Sequence, residues 1–321
     1  MKKHIFWIAA AVCVLAAVLS LCVGAVWLSP AELFGGNTPE WRIFRYARLP
    51  RTAACLLAGA GLAASGAVIQ GVLANRLASP GIIGVNAGAG LGVTVCCAFG
   101  AIYGLAVAGA AFVGALLAVL TVAFAAHKTS ASRSAVILGG VAVNSFLTAV
   151  SEGIITLFPE IGIITSDFRT GGFSGVVSSR LVPAGIMIIV GLAAVISLSN
   201  ELDLLSMGEE TAQGLGLSAK KARTVFLTLA ALLAGASVSF AGLLGFVGLI
   251  VPNIARRLVG GESRRLLPFS AVFGAALITL CDCAARTLFA PYEIPTGIVL
   301  SAIGAPFFIL LLLRHKGGHS G

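Results

Sequence analysis

The 321-residue sequence predicts an all-α polytopic membrane protein, one domain of ten transmembrane helices over residues 1–321, and three observations carry that prediction. Hydrophobic residues make up 58% of the chain and charged residues 10%, with a mean hydropathy of +1.04; a soluble domain carries about 25% charged residues. Apolar stretches close to the ~20 residues that cross a bilayer recur along the whole chain. Forty glycines suit helix contacts inside lipid, where small residues let backbones approach. The net charge of +9 is then a signal of membrane orientation, and no nucleic-acid partner is read from it.

The ten stretches cover residues 5–28, 50–74, 83–103, 105–127, 134–158, 180–200, 221–243, 245–259, 266–290 and 295–314. The first follows Met1-Lys2-Lys3-His4 and is longer than the apolar core of a secretory signal, so it reads as a retained span. The eighth is short and carries Pro252, which predicts a tilted, broken or buried helix. Residues 29–49 are polar and 159–179 rich in Gly and Ser; both read as outer segments, neither of them a separate domain. Pro291 to Gly297, with two prolines and a glycine, predicts a rigid turn. Gly304-Ala305-Pro306 predicts a kink within the tenth span. With the N-terminus inside, 14 of the 21 lysines and arginines fall on the inner side and seven on the outer, which puts both termini in the cytoplasm. Leu56-Leu57-Ala58-Gly59-Ala60 recurs as Leu232-Leu233-Ala234-Gly235-Ala236, on spans of opposite direction, the pattern of an inverted repeat.

The longest polar interruption in the second half, about 201–220, falls on the inner side. Ser206-Met207-Gly208-Glu209 has the spacing of a capping box, predicting a helix of about two turns that ends at Gly214 or Gly216, with Ser218 capping the next one. So short a helix is unstable alone in water, and a neighbour must hold it.

Residues that would carry covalent or metal chemistry are not in evidence. The chain has no phosphate-binding G-x-x-x-x-G-K-[ST], no H-E-x-x-H and no G-x-S-x-G. Its four histidines lie at span ends or termini, and its seven cysteines lie in apolar spans with no C-x-x-C pair. No metal site, cofactor or enzymatic activity is expected. Glu152, Asp282 and Arg286 are the main charges within or at the edges of spans, where ionisable residues are functional suspects. Asp282 and Arg286 are four apart and can pair, whereas Glu152 has no partner close in sequence. A stand-alone ion- or proton-coupled carrier would depend on Glu152 or Asp282. Arg42, Arg45, Arg48 and Arg51 cluster outside, either as membrane-surface anchors or as a docking patch for an acidic partner.

Several motifs in order complete the pattern: Arg48-Leu49-Pro50-Arg51, Ser65-Gly66 to Gln70-Gly71, Asn75 to Gly84, Leu204 to Glu210, Gly245 to Pro252, Arg264 to Pro268 and Gly304 to Phe307. Together, from about Arg48 to Arg314, the chain resembles the permease subunits of bacterial ABC importers for iron–siderophore, haem and cobalamin. The resemblance implies a cobalamin-importer-permease-like fold in the bacterial inner membrane. Two copies, as a homodimer or heterodimer, would enclose one path. Two ATP-binding-cassette ATPase subunits would bind inside and carry the ATP and Mg, and an extracytoplasmic substrate-binding protein would dock outside. It further implies that Leu204, Leu205, Ser206, Met207, Gly208, Glu209, Glu210, Leu215 and Gly216 couple to the ATPases. Arg48, Arg51 and Arg286 would receive the binding protein, and Asn75, Leu77, Ser130, Ala131 and Ser132 would form the cytoplasmic gate. The chain departs from the family pattern at Arg76, where proline is common and the gate loop would be stiffer, at Asn253, where histidine is common, and at Arg169-Thr170 before Gly171-Gly172. An arginine there suits an anionic chelate.

Overall fold

The computed structural model describes residues 2–24, 38–129 and 132–316, and among these there are helices and no strands. In chain order the α-helices are α1 (Lys2–Cys22), α2 (Pro39–Ile43), α3 (Leu49–Val72), α4 (Val85–Ala98), α5 (Leu105–Thr129), α6 (Arg133–Leu157) and α7 (Gly162–Thr170). They continue as α8 (Ser178–Ser197), α9 (Ser199–Ser206), α10 (Glu209–Gly214), α11 (Ala219–Ala241), α12 (Val247–Val259), α13 (Ser263–Thr287) and α14 (Thr296–Lys316). A π-helical turn, Phe44–Arg48, fuses α2 to α3, so part of the polar segment before span two is a helical extension. Thr38 starts it by accepting the Trp41 N–H at 3.2 Å.

Each predicted span overlaps a helix within the described residues. Among the described residues seven are long and apolar enough to cross a membrane, while Val85–Ala98 and Thr296–Leu311 are shorter apolar helices and α12 has 13 residues. α12 is buried along most of its length, as the proline-bearing short span predicts. α14 stays helical through Pro306.

α3 is the axis of the bundle. It packs on α13, α11, α12 and α8, and most of its residues are buried. Composition explains this: a run of Ala and Gly apolar on every side has no lipid-facing preference and can be surrounded. A Cβ at Gly59 would meet the Gly274 carbonyl oxygen at 2.3 Å, and one at Gly66 the Gly248 oxygen at 1.9 Å. Backbones touch at these crossings, so glycine is required there. α11 lies against α3, α5 and α8, and Ser65 Oγ donates to the Ala230 carbonyl at 2.7 Å between α3 and α11.

α6 stands apart. Only Val136, Gly140 and Ser151 are buried on its 25 residues. The two ends of the bundle differ in charge. Lysines 128, 220 and 221 and the helix ends around 76, 133, 205 and 263 gather at one end. An arginine-rich network occupies the other.

Candidate functional sites at the two ends of the bundle

At the arginine end, Asp282 of α13 is fully buried. Arg51 of α3 grips it through Nε and Nη2 at 3.0–3.2 Å, Thr296 Oγ1 donates to it at 2.9 Å, and Arg286 Nε lies 3.4 Å away. Two arginines and a hydroxyl thus satisfy a carboxylate that would be costly to bury alone. Arg51 also pairs with Glu293 at 2.8 Å, in the turn before α14. Arg286 donates to the Ser20 carbonyl at 2.9 Å and to its hydroxyl at 2.8 Å, and that hydroxyl bonds Thr52 at 2.7 Å. Arg48 donates to the Leu21 carbonyl at 2.9 Å and to that of Cys22. The last carbonyls of a helix lack intrahelical donors, and these arginines supply them at the end of α1.

Arg48, Arg51 and Arg286 therefore form one cluster tying α1, α3, α13 and α14 together. They line a cavity of about 420 Å3 with Glu293, Tyr46 and Phe173, although Arg48 and Arg286 are only 6% and 4% exposed. The exposed arginines are Arg42 and Arg45, the latter stacked over Trp41 at 5.0 Å. Sequence spacing finds the Asp282–Arg286 pair. Arg51, 231 positions away, and Glu293 escape it because the packing of α3 on α13 brings in the first and the turn between α13 and α14 the second.

At the lysine end, the 201–218 segment folds as two short helices, α9 and α10, rather than one. The capping box does not form. Ser206 closes α9, and its hydroxyl donates back to the Asp203 carbonyl at 2.8 Å. Gly208 precedes α10 at φ 126° and ψ 156°, a conformation only glycine takes readily, and this break moves Ser206 away from the α10 amides. Glu209 turns instead to Arg223 of α11 in an ion pair. Ser218 precedes α11 without a side-chain cap. The chain turns at Leu215 and Gly216, the latter at φ 85°.

The segment is well anchored. Leu205 is fully buried and its carbonyl accepts from Arg133 at 2.8 Å. Asp203 accepts the Ser263 N–H at 3.0 Å and its hydroxyl at 2.6 Å, so it caps α13 from across the fold. Leu204 is half-buried, and Ser206, Met207, Glu210 and Leu215 face out, Met207 and Leu215 being 69% and 62% exposed. Two apolar side chains thus stand exposed on an anchored segment.

The loop 74–84 lies beside it. Asn75 Oδ1 accepts the Leu77 N–H at 2.8 Å. Asn253 Nδ2 donates to the Arg76 carbonyl at 2.9 Å, and Asn144 Nδ2 to that of Gly81 at 3.1 Å. The looseness expected of Arg76 in place of proline is thereby offset: Asn253, itself a departure, holds the loop to α12. Ser132 caps α6 by accepting the Ala135 N–H at 3.2 Å. Ser130 and Ala131 lie outside the described residues.

Glu152 does find a partner in space. It pairs with Arg169 of α7, which also donates to Ser151 Oγ at 3.1 Å. The side chains of Glu152 and Arg169 are 54% and 33% exposed.

A bundle of apolar helices with an anchored polar segment at one end and a buried ion network at the other is an architecture that solved structures share. One chain, described as a metal-chelate type ABC transporter in an inward-facing conformation, superposes with a TM-score of 0.85 at 30% identity, covering 97% of this chain and 99% of that one. PsaBC from Streptococcus pneumoniae shares the fold at a TM-score of 0.59 and 15% identity. The sequence signature of the FecCD transport family matches residues 12–314, and the chain belongs to that family. Similar curated proteins include the Fe(3+)-citrate import system permease YfmE of Bacillus subtilis, 36% identical over 310 residues covering 95% of this chain and 93% of that protein. The hemin transport system permease HmuU of Yersinia pestis is 34% identical over 320 residues, covering 96% and 95%. The vitamin B12 import system permease BtuC of Escherichia coli is 37% identical over 324 residues, covering 98% and 97%.

Proposed function

We propose that this chain is the permease subunit of an ATP-driven importer that passes a metal chelate inward, an iron–siderophore first, with haem or cobalamin as the alternative cargo. Two copies enclose the path, two ATPase subunits bind the lysine end from the cytoplasm, and a binding protein delivers cargo at the arginine end. The observation that carries the reading is one face of α6. Ser134, Leu138, Val141, Ser145, Thr148, Glu152 and Thr156, three or four residues apart, are all exposed. Its half toward the arginine end is polar. Ionisable side chains on a membrane helix face a partner or a water-filled path, and Glu152 with its partner Arg169 sits on this face. A second copy across this face supplies that path. The adjoining exposed face, Ala142, Phe146, Ala149, Gly153 and Leu157, is apolar and suits the contact with the copy or with lipid.

A ten-span topology with both termini inside and two inverted halves fits the packing. α3 packs on α12 and α13 as α11 packs on α4 and α5. α4 and α12 each begin after a left-handed residue, Gly84 and Phe246. In this reading, closure of the ATPases pushes on Met207 and Leu215. The push passes through Asp203 to Ser263 at the head of α13, whose far end bears Asp282 and Arg286. The loop 75–77 with residues 130–132 forms the inner gate. At the outer face the docking surface is the arginine cluster around Arg51, with Arg48 and Arg286 behind it. The two acids a stand-alone carrier would need are both occupied by arginines, which favours the importer.

The test is to purify the tagged chain from its native host in mild detergent, identify what accompanies it and assay ATPase activity. An ATPase recovered in equal amount supports the importer. A chain recovered alone, under conditions that preserve known complexes, sinks it. A Glu210→Lys variant, at an exposed position, should insert normally yet lose the ATPase or its coupling.

A further inference from the structure

Arg169 is built into the fold as a fixed cation at the mouth of the polar face of α6. One Nη donates to Glu152 and the other to Ser151 Oγ at 3.1 Å. Ser151 is buried and its hydroxyl bonds Thr94 Oγ1 at 2.8 Å, which in turn donates to the Gly90 carbonyl at 2.8 Å. The guanidinium is thus tethered through α6 to the interior of α4, while a third of its side chain stays open. Glu152, by contrast, is more than half exposed and its carboxylate has Arg169 as its ion-pair partner.

We infer that Arg169 is a specificity-determining residue that receives a carboxylate of the cargo, with Glu152 holding the position until cargo arrives. A cargo carboxylate that takes the Nη now on Glu152 keeps the guanidinium paired, and the displaced Glu152, its side chain 54% exposed, turns to water. A neutral cargo offers nothing to replace Glu152 and gains nothing from Arg169. In a two-copy path the site occurs twice, facing itself across the axis. The favoured cargo is therefore a metal chelate bearing two or more carboxylates. This inference rests on the importer reading, and it adds the charge class of the cargo and the residue that reads it.

The test uses proteoliposomes holding the chain assembled with its ATPase and binding protein, and three probes: ferric citrate, hemin with its two propionates, and cobalamin, which has no free carboxylate. Wild type should take up ferric citrate or hemin in preference to cobalamin. Arg169→Gln should cut the ratio of carboxylate-bearing to cobalamin uptake roughly ten-fold, in keeping with loss of one charge-assisted hydrogen bond. Arg169→Lys should restore part of that ratio, which a purely structural role of the guanidinium would not do. An unchanged ratio in Arg169→Gln, or a wild type that prefers cobalamin, overturns the inference and leaves the importer standing. Absence of ATP-driven uptake of all three probes by wild type overturns this inference, whereas the importer reading fails separately, if no ATPase accompanies the purified chain.

Discussion

At Asp282 one side chain carries the electrostatics of an entire end of the molecule. It has no exposed surface and holds Arg51, Arg286 and Thr296. Removing one partner of a buried ion pair costs about 3–5 kcal/mol, because the others are left uncompensated. Asp282→Ala should therefore lower the thermal unfolding midpoint in detergent markedly, whereas Glu293→Gln, at a half-exposed partner, should change it little. A midpoint unmoved by Asp282→Ala would mean that water reaches the network. Gly66→Ala is a second residue-scale test: its Cβ would lie 1.9 Å from a backbone oxygen, and overpacking of this kind costs about 1–3 kcal/mol. The residue scale is also where sequence reasoning is shortest-sighted. An i,i+4 pair on one helix is visible in the string, and so is a glycine-rich span. Arg51 to Asp282 and Asp203 to Ser263 are not, because nothing local links positions 231 and 60 residues apart.

Helices themselves are legible. Every apolar stretch marks a helix, and the signal is strong because lipid demands internally satisfied backbone. Their ends are less so. Ser206 has the spacing of a cap yet terminates α9, since Gly208 breaks the chain direction between the serine and the helix it would cap. The cap that matters comes from elsewhere: Asp203 on Ser263 ties the lysine-end segment to α13. Capping is worth about 1 kcal/mol, so Asp203→Ala should speed hydrogen exchange of the first amides of α13 by roughly five-fold. No change would remove Asp203 from the link between that segment and α13. In the same way, Asn253→Ala should free the loop 74–84. A disulfide-trapping or spin-label probe at residue 77 should then report a broader range of positions, and an unchanged range would assign the rigidity of the loop to Asn144 and Asn75 instead.

Across the whole molecule, α6 is the helix left most open, and the two-copy reading is tested there. Cysteine pairs placed at Thr148 should cross-link two copies in native membranes, and absence of any cross-linked dimer at that position and at Ser145 would place the path elsewhere. The polar face that makes this test possible also bears on how the cell handles the chain. On the two-copy reading, a copy inserted ahead of its partner would hold Ser145, Thr148, Glu152 and Thr156 against lipid tails, where an ionisable group such as Glu152 is costly. Newly made chains would survive only if synthesised close enough in place and time to meet a second copy. On that reading, the side chains proposed to line the path also set the lifetime of a lone copy, and overexpression of the chain should shorten its lifetime rather than raise its level.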